Sequence, residues 1–266
     1  MLVNNSRVEE SWEHVIEPGW SKEEFKMIDL RDKRLDRRFI RVTENLSSQP
    51  LASINQACES WAEVKGAYRL FDNEKVTGRE ILAVHQAQTV ERMKGEEIVL
   101  AVQDSTCLNY THHPKKKGMG PIGTKGQGLQ GLWMHSTLAL TVRGMPLGLL
   151  TQEIWARKEE VTGGLHRRKE VSIEKKESHK WIKALEEAAD LIPPGVRVIT
   201  LCDREADIYE FFAKAVRCGS EVVVRAAQNR KLVGEIGQLW DYMDSQPVVG
   251  HLQIGFFSQL VDENVT

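Results

Sequence analysis

The feature that most limits what this chain can fold into is a change of hydrophobic period near residue 96. Before it, apolar residues recur every three or four positions. After it, they alternate or gather into short β-branched runs. Leu35, Phe39, Val42 and Leu46 fall on one side of a helix, and Ile54, Ala57, Trp61, Val64 and Tyr68 repeat the pattern. Two amphipathic helices, each with a single apolar stripe, are therefore expected. Thr77, with Glu80 three residues on, reads as a capping box opening a third helix, and Gly95 reads as its stop. Strands are expected at 98–104, 134–142 and 146–154.

Between the first two of those strands lies 115–131, rich in Lys and Gly, and after the third a charged stretch at 157–176 lacks apolar periodicity. Both are read as exposed loops. Trp181, Leu185, Ala188 and Ile192 mark a helix that stops at Pro193-Pro194-Gly195, and the apolar run 196–202 delivers Asp203 at its end. A further helix carries Ile208, Phe211, Phe212 and Ala215 inward, ends at Cys218-Gly219, and leads to a strand at 221–225. In the tail, one helix around Leu239 and one strand at 252–257 are expected. The fold class is α+β, with a helical domain at 1–95 and a mixed sheet with flanking helices at 96–266. Three consecutive antiparallel strands followed by α/β units is the layout of a ribonuclease-H-like domain, although the order alone leaves other mixed sheets open.

With 41% apolar and 28% charged residues over 266 positions, the composition is that of a globular protein. The formal charge of −2 does not decide for or against a nucleic acid, because local clustering sets where a phosphate can bind. Cys58, Cys107, Cys202 and Cys218 form no Cys-x-x-Cys pair, so neither a zinc cage nor a disulfide framework is expected. The opening Met-Leu-Val-Asn-Asn leads into polar residues, and no run approaches the roughly eighteen apolar residues of a membrane span. A soluble intracellular protein with no membrane partner is expected.

Asp104 ends the expected first strand and Asp203 a later one. A carboxylate at the end of a buried strand is held rigidly at the rim of a sheet, and two on neighbouring strands can share Mg²⁺. Turn and cap positions offer a simpler role for both residues, since Asp is common at each. Arg31, Lys33, Arg34, Arg37, Arg38 and Arg41 crowd one helical segment, with Arg34, Arg38 and Arg41 beside the apolar stripe. Such a face can neutralise phosphates. It can equally be a solvated surface with ion pairs to Asp32 and Asp36. Gly118-Met-Gly-Pro-Ile-Gly123 matches a dinucleotide fingerprint only formally, because no strand precedes it and Pro121 interrupts it. His112 and His113 are adjacent, which points them in different directions, and they are read as loop residues. Glu205 and Asp207 are expected to favour the start of their helix through its dipole.

Several segments carry a resemblance that covers nearly the whole chain. The run Gly66-Ala-Tyr-Arg-Leu-Phe71 with Asp72-Asn73, within Trp61 to Asn73, and Asp203-Arg-Glu-Ala-Asp207 are the most specific. Trp133-Met-His-Ser136 and Asp29-x-Arg31-x-x-Arg34-Leu35 add to them, with Ile28 and Asp32 departing from the latter signature. Together they resemble the bacterial cut-and-paste DDE transposases of the transposon-five (insertion-sequence-four) type. The resemblance implies that Asp104 and Asp203 are the first two catalytic carboxylates and ligands of Mg²⁺, or Mn²⁺ in its place. It implies that the helical domain binds double-stranded DNA at transposon terminal inverted repeats, through Arg31, Lys33, Arg34, Arg38 and Arg41. Lys65, Arg69 and Arg225 are carried over from matching segments. It also implies a bacterial cytoplasmic, nucleoid-associated protein whose full-length relatives dimerise on DNA.

The family's third carboxylate, a Glu within Tyr-x-x-Arg-x-x-x-Glu, has no full counterpart. Arg217 and Glu221 fit the second half of that pattern, but Lys214 stands at the Tyr position and Glu221 is close to Asp203 in sequence. The expectation is a DNA transposase that ends before its third carboxylate and its dimerisation region. A DNA-binding remnant without catalysis stays open beside it, and a cellular nuclease on the same fold would need a third acid within the chain.

Overall fold

The computed structural model describes residues 19–124, 126–158, 172–234 and 237–251. The chain divides into two units, 1–225 and 226–266, each treated by itself.

The first unit opens with helices α1 (Trp20–Glu24), α2 (Lys33–Ser48), α3 (Ile54–Ala57), α4 (Trp61–Phe71) and α5 (Gly78–Met93). Asp32 starts α2 by accepting the Arg34 N–H, as an extended N-cap residue does. Its stripe of Leu35, Phe39 and Val42 is buried with Phe25, Ile28 and Leu30, and the Phe25 and Phe39 rings meet edge to face at 4.9 Å. Thr77 caps α5 by accepting the Glu80 N–H, while the Glu80 carboxylate meets the Thr77 hydroxyl. The short α1 lies ahead of the region in which helical periodicity is read.

The second stripe is not continuous. The helix breaks at Cys58, and α4 restarts at Ser60, whose hydroxyl accepts the Glu63 N–H. That break resets the helical phase. Val64, Ala67 and Leu70 become the buried face, and Trp61 and Tyr68, expected inward, are exposed.

The same unit continues with β1 (Ile98–Asn109), β2 (Gly120–Pro121), β3 (Gln130–Thr141), β4 (Pro146–Trp155), α6 (His179–Ala189), β5 (Arg197–Cys202), α7 (Tyr209–Cys218) and β6 (Glu221–Val224). The described strands form one six-stranded mixed sheet with the path β2-β3-β1-β5-β6 and β4 paired to β3. Pairs β1–β3, β2–β3 and β3–β4 are antiparallel, and β1–β5 and β5–β6 are parallel. The fold is thus α+β, helices first and a mixed sheet with flanking helices after. Val99, Ala101 and Ala139 are buried with Met93 of α5 and Ala188 of α6. Cys202 is buried with Trp181 and Leu185 of α6 and Phe211 of α7.

β1 runs five residues past the end expected for it, because β3 pairs along it as far as Asn109 opposite Gly131. β3 correspondingly begins at Gln130, and Gly120 and Pro121, within the expected loop, pair with Gly131 and Gln130. Glycine is required at Gly120, where a Cβ would stand 2.1 Å from the Arg157 carbonyl oxygen. In the stretch 157–176, a short 3-10 helix forms at Ile173–Lys175, and 159–171 lie outside the described residues.

α5 is tied to β4 by polar contacts. Arg92 Nε donates to the Leu147 carbonyl, Gln86 Nε2 to the Leu150 carbonyl, and the Leu149 N–H donates to His85 Nε2. In the second unit, Lys231 and Gln238 form an antiparallel bridge, and the expected helix around Leu239 is α8 (Leu239–Asp244), the Trp240 N–H near its start donating to Asn229 Oδ1. The expected strand at 252–257 lies outside the described residues, as do residues 1–18.

Candidate functional site

Asp104 and Asp203 are brought to the same end of the sheet. In the parallel β1–β5 ladder the last paired residues are Val102 and Leu201. Each aspartate lies two residues beyond its member of that pair, Asp104 within β1 and Asp203 just past the end of β5. Asp104 does not end its strand: β1 continues along β3, with Asp104 opposite Ser136, and it is the β5 side of the ladder that stops before Asp104. Both aspartates are exposed. Asp104 Oδ1 accepts the Ser105 N–H at 2.7 Å, and Asp203 Oδ1 accepts the Glu205 N–H at 2.8 Å, capping the 3-10 turn Arg204–Ala206. The capping role weighed for Asp203 is therefore realised, and the turn role for Asp104 is not.

The surroundings of this rim are polar and largely buried. His135, 2% exposed, sits between Ser105 and Gln103, with Nδ1 2.8 Å from Ser105 Oγ and Nε2 3.4 Å from Gln103 Oε1. Its ring meets Trp181 edge to face at 4.6 Å. Burial, with the Lys180 charge adding to it, pushes the imidazole down to about 4 against the opposing pull of Asp203. His135 is thus neutral at ordinary pH. The buried Lys180 ammonium pairs with Glu205 at 3.1 Å and stands 5.6 Å from the Trp133 ring centre. Glu205 therefore serves as a partner for Lys180, beyond any interaction with a helix dipole. Burial also pushes the Cys202 thiol up to about 12, with Asp203 adding to the effect. Arg225 follows β6 and donates its N–H to the Cys202 carbonyl, which brings its backbone beside the Asp203 end of the sheet.

Oxygen donors suit a hard divalent cation, and two carboxylates at a strand rim fit part of its shell. Among the described residues no group of three His, Cys, Asp or Glu is placed to close around a metal. Glu221 is at the opposite end of the β5–β6 ladder, level with Ile199, and its carboxylate is held by Arg197 at 2.6 Å. Arg197 lowers the Glu221 carboxyl below the usual range.

In the helical region, the basic residues separate into two groups. On and before α2, Arg31 pairs with Glu80, Lys33 with Asp36, Arg34 with Asp32, and Arg41 lies 3.9 Å from Glu63. Hydrogen bonds from Arg34, joined by its charge, lower the Asp32 carboxyl. Arg38 instead reaches α4, where a Cβ on Gly66 would be 3.6 Å from its Nε. On α4, Lys65 Nζ lies 5.3 Å from the Trp61 ring centre, and Arg69 is exposed in the last turn. Sequence reading missed the exposure of Trp61 and Tyr68 beside these cations; Ser60, a cap residue directly before Trp61, was the available signal.

His112 and His113 are exposed, and the His113 ring lies edge-on to Tyr110. The four cysteines are free thiols. No described helix is long and apolar enough to cross a membrane.

Residues 17–76 match the family described as transposase DNA-binding. The match spans α1 to α4 and takes in Arg31, Lys33, Arg34, Arg38, Arg41, Lys65 and Arg69, while Arg225 lies outside it. That region is thus similar to a transposase DNA-binding segment.

Proposed function

We propose that the chain is a DNA transposase of the transposon-five type, in which the helical domain 1–95 holds a terminal inverted repeat and a ribonuclease-H-like domain from residue 96 carries Asp104 and Asp203. The observation that carries this reading is the ladder register, which brings two exposed carboxylates to the same end of adjacent parallel strands. The strand order, an antiparallel trio continued by two parallel strands, agrees with it.

Asp104 and Asp203 are the residues that would hold Mg²⁺ or Mn²⁺. A bound cation there would lower the pKa of an attacking water and stabilise the leaving oxygen of a phosphodiester. The chain's own contribution is positional. The Ser105 and Glu205 N–H groups each fix one carboxylate oxygen, and Arg225 is available at the same rim to a DNA phosphate. Action on DNA in a bacterial cytoplasm, with two copies meeting on paired ends, belongs to the same reading.

A second reading, DNA binding without cleavage, is favoured by one observation. Glu221, the acid nearest to the missing family position, is committed to Arg197 away from the aspartates. The test is Mg²⁺-dependent cleavage of a duplex carrying the ends of the encoding element, beside a binding assay on the same preparation. Cleavage that disappears in Asp104→Asn and in Asp203→Asn supports the first reading. Binding without cleavage moves the conclusion to the second, and no binding overturns both.

A further inference from the structure

Neither aspartate at the sheet rim is held by its own strand alone. Asp104 Oδ1 accepts the Ser105 N–H, and the Ser105 hydroxyl is in turn bonded to His135 of β3. Gln103 Oε1 can only accept, so His135 Nε2 carries the hydrogen and Nδ1 is left to accept from Ser105. The other side of the imidazole is met by the buried Trp181 ring of α6. Asp104 is thereby joined to α6 through Ser105, His135 and Trp181.

Asp203 reaches the same helix by a second route. Its Oδ1 accepts the Glu205 N–H, and the Glu205 carboxylate takes the Lys180 ammonium at 3.1 Å. Ala206, at the end of the turn that Asp203 caps, is buried in one cluster with Trp181. Lys180 is buried, with its ammonium 5.6 Å from the Trp133 ring centre and 5.7 Å from that of Trp181. Taking an ammonium out of water is costly unless it is paired. Near two carboxylates that would hold a metal, its charge also opposes the cation. What it offers in return is position: both routes end on two adjacent residues of one helix.

We infer that Lys180 and Trp181 are positioning residues that set the Asp104 and Asp203 carboxylates relative to one another for a divalent cation. Lys180 acts through Glu205, and Trp181 through His135 and Ser105; neither touches the cation. This rests on the reading of the two aspartates as metal ligands and adds to it the parts that hold them.

The test uses the full chain and MnCl₂ without DNA, with free Mn²⁺ read by electron paramagnetic resonance. Lys180→Met keeps the buried stem and removes the charge. It should bind Mn²⁺ at least about tenfold more weakly, as when groups that orient a metal's ligands are removed. A purely electrostatic role gives the opposite sign, since loss of a nearby ammonium strengthens cation binding. Ser105→Ala leaves the N–H to Asp104 in place but cuts the link to His135, and it should weaken binding too. Ser105→Thr keeps the hydroxyl and should restore the affinity, which a general loss of packing would not allow. Lys183→Met, on the same helix and paired with Glu153, should bind like the unaltered chain. If Lys180→Met or Ser105→Ala binds Mn²⁺ as tightly as the unaltered chain while Asp203→Asn does not, the inference is overturned and the metal reading stands. If the unaltered chain retains no Mn²⁺, or Asp203→Asn retains it in full, the metal reading itself fails and takes the inference with it.

Discussion

Glu24 of α1 and Arg92 of α5 form a two-point ion pair, with Nη1 2.7 Å from Oε2 and Nη2 3.0 Å from Oε1. His85 adds a contact at 2.5 Å to the same carboxylate, and Arg92 and His85 both also hold backbone groups of β4. One carboxylate thus links α1, α5 and the sheet edge. Burial alone would raise the Glu24 carboxyl, but the hydrogen bonds and charges of His85 and Arg92 override it and hold it at about 2.

The folded state therefore holds the Glu24 proton less tightly than the unfolded chain, for which 4.5 is the ordinary value. The stabilisation is fully present above pH 4.5 and is lost as pH falls through about 2. Its size is on the order of 3 kcal/mol. Urea midpoints of the native chain and Glu24→Gln should differ most near neutrality and converge in acid. Curves that stay parallel across the range would show that Glu24 is not the titrating link.

Gly148 of β4 packs closely against α5, facing Thr89, Arg92 and His85. Its φ is +136°, and a Cβ would stand 2.2 Å from Thr89 Oγ1. Gly148→Ala combines a backbone region that L side chains rarely adopt with overlap against a buried threonine, so a loss of about 2–4 kcal/mol is expected. Chemical denaturation measures it. An unchanged midpoint would mean that α5 can withdraw from β4 without cost.

Asp203 has a structural role as a cap and a proposed one as a ligand, and two substitutions separate them. Asn retains the side-chain oxygen that accepts the Glu205 N–H, whereas Ala removes it. Asp203→Ala should lose about 1 kcal/mol of stability and Asp203→Asn almost none. Added Mg²⁺ should raise the melting temperature of the native chain but of neither variant. A Mg²⁺-induced rise that survives in both would place the cation elsewhere.

Thiol accessibility tests the sheet edge. Cys107 and Cys218 are exposed, while Cys58 and Cys202 are buried. Iodoacetamide on the folded chain should alkylate the first two and spare the others until denaturant is added. Rapid modification of Cys202 would show that the end of β5 opens to solvent.

Much of this architecture is legible in the residues. The change of period near residue 96 locates the passage from helices to strands, and Thr77 and Gly219 mark helix boundaries through local bonds or backbone conformation. Asp203 at the end of its apolar run is likewise a local signal, because the run forms a strand and the next residue caps a turn. The exposure of Trp61 and Tyr68 was missed, since the inward stripe expected for them assumed one uninterrupted helix and a break of a few residues rotates everything after it. The length of β1 was missed because Asp104 to Asn109 is held by pairing with 131–136, and no property of the residues themselves sets that extent.

What the sequence determined by itself is therefore the set of periodic segments, their caps, and the two aspartates carried by strands. These depend on neighbours within a turn or a strand's length. Tertiary structure decided that Asp104 and Asp203 share a rim, because the β1–β5 register joins residues about a hundred positions apart. It also decided that Arg31 and Arg41 find carboxylates on other helices while Arg38 is laid over Gly66. A charged side chain's partner is fixed by where the packed helices bring it, and that is a property of the whole fold.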